Sequence, residues 1–209
     1  MYIRLTSRCN MSCDHCGFSC SARGRDMTSD VFDAALSLSS HYGDSVTLGG
    51  GEPTIHPKYW EFFGKSLAVD CQETPPFIVT NGKNKDIAIA LARMAKGGVI
   101  GAALSQDRYH DSIEPEVVEA FTKSSGDWGH GNSDDLREIW HINSLLNVGR
   151  AKLNQLATVE GCICDSIVVE PSGKLWQCGC RKKSFGTVFD PQIPQEHWDS
   201  DIRCSQDSA

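Results

Sequence analysis

Three cysteines near the N-terminus have a spacing that suits metal binding. Cys9, Cys13 and Cys16 follow the pattern C-x3-C-x2-C, directly after a predicted strand at Tyr2–Thr6. A structural zinc site usually takes four protein ligands, and a ferredoxin-type cluster also takes four cysteines. Three thiolates in one loop therefore predict an iron–sulfur cluster with one iron open, although Cys20 leaves a four-cysteine site as the alternative.

Polar or glycine-rich segments follow the next predicted strands. Gly49–Thr54 follows a strand at 46–48, Thr80–Gly82 follows one at 77–79, and Ser105–Asp107 follows one at 99–104. The carboxyl ends of parallel strands meet at one edge of a sheet, where ligands bind. Glycine lets a ligand approach the backbone, and a carboxylate such as that of Glu52 accepts hydrogen bonds from an ammonium group. These segments predict one ligand site beside the three cysteines.

A second group of cysteines lies near the C-terminus. The predicted hairpin has strands at 167–169 and 175–177 with a turn at 171–173, and it is flanked by Cys162, Cys164, Cys178 and Cys180. Residues i and i+2 of a strand share a face, so both C-x-C pairs can point to one side. The hairpin therefore predicts a site for an iron–sulfur cluster or zinc, with Cys204 as an alternate ligand.

Short β-type runs alternate with helical segments, which predicts an α/β fold with a parallel sheet. Helices are expected at about 29–40, after Pro57, at 85–96 and after Pro115, and one more strand and helix within 136–156. A closed eight-unit barrel usually needs about 250 residues. We therefore expect an open partial (β/α) barrel of five or six βα units over residues 1–160, and a small metal-binding β-hairpin extension over 161–209.

The composition narrows the function classes. The 209 residues are 40% hydrophobic, and the net charge is −7 without a basic run, which argues against duplex nucleic acid as a partner. The chain shows neither a signal-peptide stretch nor an apolar run long enough to span a membrane. We expect a cytoplasmic protein without a membrane partner. Trp60, Trp140 and Trp176 are expected in the core.

The motifs together resemble one family. C-x3-C-x2-C after a first strand, with His15 before the third cysteine, resembles the signature of the radical SAM superfamily. The segment at 50–52 resembles its GGE motif, and those at 80–82 and 105–107 resemble patterns carried at the same places. Asn147–Ala151 resembles a late GRA segment. The resemblance extends from Met1 to about Ala151.

The resemblance implies a [4Fe-4S] cluster on Cys9, Cys13 and Cys16 that binds S-adenosylmethionine (SAM) through its open iron. One electron from a reductant such as flavodoxin or ferredoxin then cleaves SAM to methionine and a 5′-deoxyadenosyl radical, which abstracts a substrate hydrogen. The residues expected to contact SAM are His15, Gly50, Gly51, Glu52, Asn81, Ser105, Asp107 and Arg150.

The C-terminal cysteines carry a second resemblance. Cys162, Gly173 and Cys178 are spaced like the start of the twitch or SPASM extension of this superfamily, which implies a second [4Fe-4S] cluster. Too little chain follows for two auxiliary clusters, and zinc remains the alternative.

Three functions are compatible with these motifs. The chain is expected to be a radical SAM enzyme acting on a peptide or on a small metabolite such as a nucleoside. The alternatives are an activase of a glycyl-radical enzyme and a non-catalytic iron–sulfur or zinc protein. Cys20, Tyr109 and His110 are candidates for donating a proton or hydrogen atom, without a choice among them.

Overall fold

The fold is built on a nine-stranded sheet, seen in a computed structural model that describes residues 1–69, 74–123, 134–159 and 166–194. The strand order is β5-β4-β3-β2-β1-β6-β7-β8-β9, and all pairs from β5 to β6 are parallel. The strands are β1 (Tyr2–Thr6), β2 (Thr47–Gly50), β3 (Phe77–Thr80), β4 (Gly101–Ser105), β5 (Arg137–Trp140), β6 (Val168–Val169), β7 (Lys174–Trp176), β8 (Ser184–Thr187) and β9 (Asp190–Pro191). The two ends of the sheet, β5 and β9, are not paired with each other, so the predicted open α/β barrel is confirmed.

Five α-helices connect or follow the parallel strands in the described part of the chain. They are α1 (Ser29–Tyr42), α2 (Tyr59–Ala68), α3 (Lys85–Lys96), α4 (Pro115–Phe121) and α5 (Gly149–Leu153). A short 3-10 helix at Pro53–Ile55 follows β2. Pro115 opens α4, as suits its fixed φ and missing N–H. Apolar side chains of the helices and of one sheet face form the core, with Phe32 stacked on Phe62 at 4.1 Å.

The two faces of strand β1 carry different kinds of side chain. Ile3 and Leu5 are fully buried in the core that the helices cover. Since alternate side chains point to opposite faces, Tyr2, Arg4 and Thr6 lie on the other side, toward the barrel interior. The loop that carries the first three cysteines begins where this strand ends.

The C-terminal strands extend the sheet from the edge of β1 that does not pair with β2. Tyr2 and Ile3 pair in parallel with Val168 and Val169, and β7, β8 and β9 follow as antiparallel neighbours. The hairpin of β6 and β7 agrees with the predicted strands to within two residues. The sequence did not predict β8 and β9. Phe185 of β8 and Val188, which lies between the two strands, complete the core on this side.

Two apolar residues, one in the helix predicted after Pro57 and one in the strand predicted at 99–104, are exposed to solvent. Helix α2 begins at Tyr59 and buries Tyr59, Phe62, Phe63 and Ser66, whereas Trp60 is 52% exposed. Val99 is 53% exposed because β4 begins only at Gly101. Among the described residues, no helix combines the length and apolar character that crossing a membrane requires.

Candidate functional site

A cavity of about 330 Å³ opens at the carboxyl ends of the parallel strands, inside the barrel. Cys9, Cys13 and Cys16 line one side of it. The structure brings five of the eight predicted SAM contacts into the same wall: His15, Gly50, Gly51, Asn81 and Ser105. The remaining three, Glu52, Asp107 and Arg150, lie outside this lining.

The three thiols have different surroundings. The Sγ atom of Cys9 accepts hydrogen bonds from the Met11 N–H at 3.4 Å and from Asn81 Nδ2 at 3.6 Å. Burial raises the pKa of Cys9, and burial with the neighbouring thiols raises the pKa of Cys13 to about 11. A hydrogen bond from the Cys20 thiol, together with backbone N–H groups, lowers the pKa of Cys16. N–H donors directed at sulfur stabilise a thiolate, whereas burial favours the protonated thiol, so Cys16 ionises most readily of the three.

Helix α5 holds the cysteine loop in place. The Arg150 guanidinium donates to the carbonyl oxygens of Cys13 at 2.8 Å and Cys20 at 2.5 Å, and the Arg150 N–H donates to the Cys16 carbonyl at 2.9 Å. Gly149 has φ +54°, and a Cβ there would overlap the carbonyl oxygens of Cys16 and Gly17. Only glycine permits this close approach without strain. Arg150 is therefore occupied in fixing the loop.

Glu52 is fully buried behind the cavity wall. Its Oε1 accepts hydrogen bonds from the Thr54 N–H, the Thr54 hydroxyl and the Thr80 hydroxyl, at 3.1, 2.7 and 2.9 Å. Its Oε2 accepts one from the Asn81 N–H at 2.8 Å. Burial raises the pKa of this carboxyl. The carboxylate thus joins the segments that follow β2 and β3.

Asn81 connects the segment that follows β3 to the cysteine loop. Its Nδ2 donates to Asn10 Oδ1 at 2.8 Å as well as to the Cys9 sulfur, and its Oδ1 accepts from the Lys83 N–H at 3.0 Å. Asn10 was missed from the sequence because it lies between ligands and carries no spacing signal of its own. The segment that follows β3 therefore contacts a cysteine of the loop directly.

His15, Asp107 and His110 form a buried polar cluster beside the cavity. Their nearest ligand atoms lie within 4.8 Å of one another, with Asp107 Oδ2 at 3.9 Å from His15 Nε2. His110 Nδ1 lies 3.0 Å from Asp107 Oδ1, without hydrogen-bond geometry. Within the described residues, Asp107 Oδ2 and His15 Nδ1 have no hydrogen-bond partner. Burial lowers the pKa of His15, which favours its neutral form.

Another part of the cavity lining is apolar. It comes from the end of β5 and the segment between β5 and α5: Trp140, Ile142, Leu145, Leu146 and Val148. Trp140 was expected in the core, but it is 42% exposed because β5 is an edge strand. One face of its ring stacks on Phe77. Phe18 and Tyr2 complete this wall near the cysteine loop. Aromatic residues at a cavity rim carry no distinctive spacing, and the sequence did not identify them as site residues.

The C-terminal cysteines are described only in part. Cys178 and Cys180 follow β7, with their sulfur atoms 3.0 Å apart. Cys162, Cys164 and Cys204 lie outside the described residues. Gly179 lies against the Phe18 ring, because a Cβ there would be 3.7 Å from Phe18 Cζ. The second cysteine pair is thus adjacent to the loop of the first three.

The donor set meets the needs of a three-cysteine cluster. Three thiols line one cavity, two of their sulfur atoms accept hydrogen bonds from N–H groups, and open space remains on the cavity side. Glycines at 50 and 51 place backbone beside the cysteines; a Cβ at Gly51 would lie 3.1 Å from the Cβ of Cys9. These residues fit an iron–sulfur cluster with one open coordination position.

The chain is similar to a curated protein of known name. The chain is 31% identical over 108 residues to the mycofactocin maturase MftC of Mycobacterium ulcerans (strain Agy99), a match that covers 49% of this chain and 27% of the maturase. The matched part thus spans about a quarter of that relative's length.

Two solved structures share the fold. One is BtrN in complex with AdoMet and 2-DOIA, with TM-score 0.60, 16% identity, and 96% of this chain and 81% of that chain covered. The other is native anSMEcpe with bound AdoMet and a Kp18Cys peptide, with TM-score 0.59, 18% identity, and 95% and 79% covered. The model of the radical SAM superfamily matches residues 3–128. That match spans more than half of the sequence, and the chain therefore belongs to the radical SAM superfamily, whose enzymes use a [4Fe-4S] cluster and SAM.

Proposed function

We propose that Cys9, Cys13 and Cys16 hold the [4Fe-4S] cluster at which this enzyme reductively cleaves SAM to abstract hydrogen from a peptide or small-molecule substrate. The observation that carries the proposal is the convergence of these thiols with four strand-end segments in one cavity. The bound cluster and SAM supply one-electron cleavage and the 5′-deoxyadenosyl radical. The electron comes from a reductant such as flavodoxin or ferredoxin.

The chain's own residues bind and orient SAM. Gly50 and Gly51 let its methionine end approach the backbone, and Asn81 holds the cysteine loop against this surface. Ser105 lines the cavity, and the unpartnered Oδ2 of Asp107 is available to accept a hydrogen bond from a ribose hydroxyl. His15 lines the same cavity and would contact SAM there.

We assign Glu52 and Arg150 a supporting part in SAM binding. Both oxygens of the buried Glu52 carboxylate already accept hydrogen bonds, two from Thr54 and one each from Thr80 and Asn81, and Arg150 is engaged with loop carbonyls. Both groups therefore act on SAM through the backbone that they position.

The apolar wall suggests what the substrate presents to the cavity. Trp140, Ile142 and Leu145 line the same cavity as the cysteines. An apolar group of the substrate would gain about 25 cal/mol for each Å² removed from water there. Compounds of both proposed classes appear in the structural neighbours, a peptide with anSMEcpe and 2-DOIA with BtrN. An apolar peptide side chain or the apolar face of a small molecule suits this wall.

We further propose an auxiliary [4Fe-4S] cluster, or zinc, held by Cys162, Cys164, Cys178 and Cys180, with Cys204 as an alternate ligand. The close approach of the Cys178 and Cys180 sulfur atoms supports this site. Its position beside Phe18 would place the second metal next to the first loop.

The decisive experiment is anaerobic purification followed by reduction with dithionite in the presence of SAM. We expect a brown protein that releases 5′-deoxyadenosine, and loss of this product in Cys9→Ala, Cys13→Ala and Cys16→Ala. Cys20→Ala is the matched control and should retain cleavage. A colourless protein that holds only zinc would overturn the proposal.

Iron analysis of the same preparation tests the auxiliary site. A chain with two clusters should contain about eight irons, and Cys178→Ala with Cys180→Ala should lower this to about four. About four irons in the unmodified chain, together with one zinc, would leave zinc as the auxiliary metal.

A further inference from the structure

Arg4 is a buried arginine inside the barrel. Its side chain is 1% exposed, which is rare for arginine unless the charge is paired. Nη1 donates to Glu170 Oε2 at 2.6 Å, and Nη2 donates to the Cys20 sulfur at 3.1 Å. The guanidinium lies 4.0 Å from the centre of the Phe18 ring, and Nε has no hydrogen-bond partner among the described residues.

This guanidinium lies close to the first three cysteines. The Cys20 N–H donates to the Cys16 sulfur at 3.4 Å, so one residue separates Arg4 from a proposed cluster ligand. Buried charges interact strongly because water screens them poorly. A positive charge near an iron–sulfur cluster, and hydrogen bonds toward its sulfur ligands, favour the reduced state.

The same group is connected to the C-terminal strands. Glu170 directly follows β6, and its Oε1 accepts a hydrogen bond from Arg181 Nη1 at 3.3 Å. Arg181 directly follows Cys180 and lies 5.4 Å from the centre of the Phe18 ring. Arg4, Glu170 and Arg181 therefore form a row of alternating charge that leads from the cysteine loop to the second cysteine pair.

We propose that Arg4 raises the reduction potential of the SAM-binding cluster and that Glu170 moderates this effect through its ion pair with Arg4. The inference rests on the proposed cluster at Cys9, Cys13 and Cys16. The step concerned is the transfer of one electron from the reductant to the cluster, without a bond or proton change. The C-terminal strands thereby influence how readily the first cluster accepts its electron.

The test is a potentiometric titration of the anaerobic holoenzyme, followed by the EPR signal of the reduced SAM-binding cluster. Arg4→Gln removes a nearby positive charge and should lower the midpoint potential. Glu170→Gln removes the opposing negative charge and should raise it. Arg181→Gln should lower the potential by a smaller amount, because its side chain is 31% exposed. The double variant Arg4→Gln/Glu170→Gln should return close to the unmodified value.

Arg137→Gln is the matched control. Arg137 is also a buried arginine in a 2.6 Å ion pair, with Asp135, but it lies on β5, four strands from β1. This variant should leave the potential unchanged even if it destabilises the chain. A purely structural role of Arg4 would give shifts of one sign, or none, in Arg4→Gln and Glu170→Gln, and that result would overturn the inference.

Failure of the inference can be separated from failure of the proposed function. If the unmodified chain binds no cluster on Cys9, Cys13 and Cys16, the proposed function itself is wrong. If the cluster forms and the potentials do not move in opposite directions, only the role of Arg4 is wrong. Should Arg4→Gln not fold, the opposite shifts expected for Glu170→Gln and Arg181→Gln carry the test.

Discussion

The backbone N–H of Asn81 donates a hydrogen bond of 2.8 Å to Glu52 Oε2, and this bond joins the segments that follow β2 and β3. Glu52→Gln replaces an acceptor oxygen with a donor in front of groups that also donate. An unsatisfied buried polar group costs about 1–3 kcal/mol. We expect a loss of this size in the free energy of unfolding by urea, and weaker SAM binding by calorimetry.

Glu61→Gln is the control for this prediction. Glu61 is a partly exposed residue of α2 whose partners within the described ranges are Lys58, Lys65 and Ser29, all on the surface. Glu61→Gln should leave both the free energy of unfolding and the affinity for SAM unchanged. Unaltered stability in Glu52→Gln would show that the carboxylate is not needed to join the two segments.

Arg150 offers a second prediction, because its guanidinium holds two carbonyl oxygens of the cysteine loop. Arg150→Lys keeps the charge but cannot reproduce the two-pronged geometry. Loss of hydrogen bonds from a charged group costs about 1.5–3 kcal/mol, so unfolding should become easier by roughly that amount. The bound iron should also be removed faster by a chelator. Arg93→Lys, on the exposed face of α3, should change neither quantity; equal effects in both variants would contradict the role of Arg150.

The two glycines Gly149 and Gly64 give a paired prediction. Gly149 has φ +54° and contacts loop carbonyls, so Gly149→Ala should destabilise the chain by about 1–3 kcal/mol through backbone strain and overlap. Gly64 lies within α2 with no atom within 4 Å of an added Cβ. Gly64→Ala should stabilise the chain by about 0.5–1 kcal/mol. Thermal unfolding of both variants measures these opposite shifts, and a neutral Gly149→Ala would refute the close-packing argument.

The pKa shifts predict how metal binding depends on pH. Burial raises the pKa of Cys9, and that of Cys13 to about 11, so both thiols are protonated at neutral pH in the metal-free chain. Metal ligation needs thiolates, so binding releases these protons and strengthens as the pH rises. Release of about two protons predicts an affinity increase of roughly a hundredfold per pH unit. A Co²⁺ titration of the metal-free chain, followed by its thiolate absorption between about pH 6.5 and pH 8, tests this; an affinity independent of pH would contradict it.

The strand and helix order was predictable because the periodic signals are strong. The predicted bounds of β1 and α3 agree with the structure, and Gly97 ends α3 as expected. The convergence of strand-end segments on the cysteines also followed from the parallel order alone. Helix faces were less accurate, since Trp60 satisfies the helical period and yet faces solvent. The helical period identifies the residues that share one side of a helix, but tertiary packing decides how many of those residues are buried.

The roles of individual site residues depend on partners far along the chain. Glu52 resembles a ligand-facing carboxylate in sequence, but it is fully buried and accepts hydrogen bonds from Thr80 and Asn81. Arg4 lies in a strand of ordinary composition, and its burial depends on Glu170, which is 166 positions away. Pairings over such separations leave no local pattern, so the sequence could not predict them.

The position of β1 between β2 and β6 bears on when the cysteine loop acquires its final surroundings during synthesis. This loop is translated well before the β6 partner of its supporting strand and the Glu170 partner of Arg4. Until then, one edge of β1 is unpaired and Arg4 lacks its counter-charge. The native surroundings of the three cysteines are therefore completed only after translation of the C-terminal strands, and a ribosome-bound chain that lacks those strands offers thiols without them.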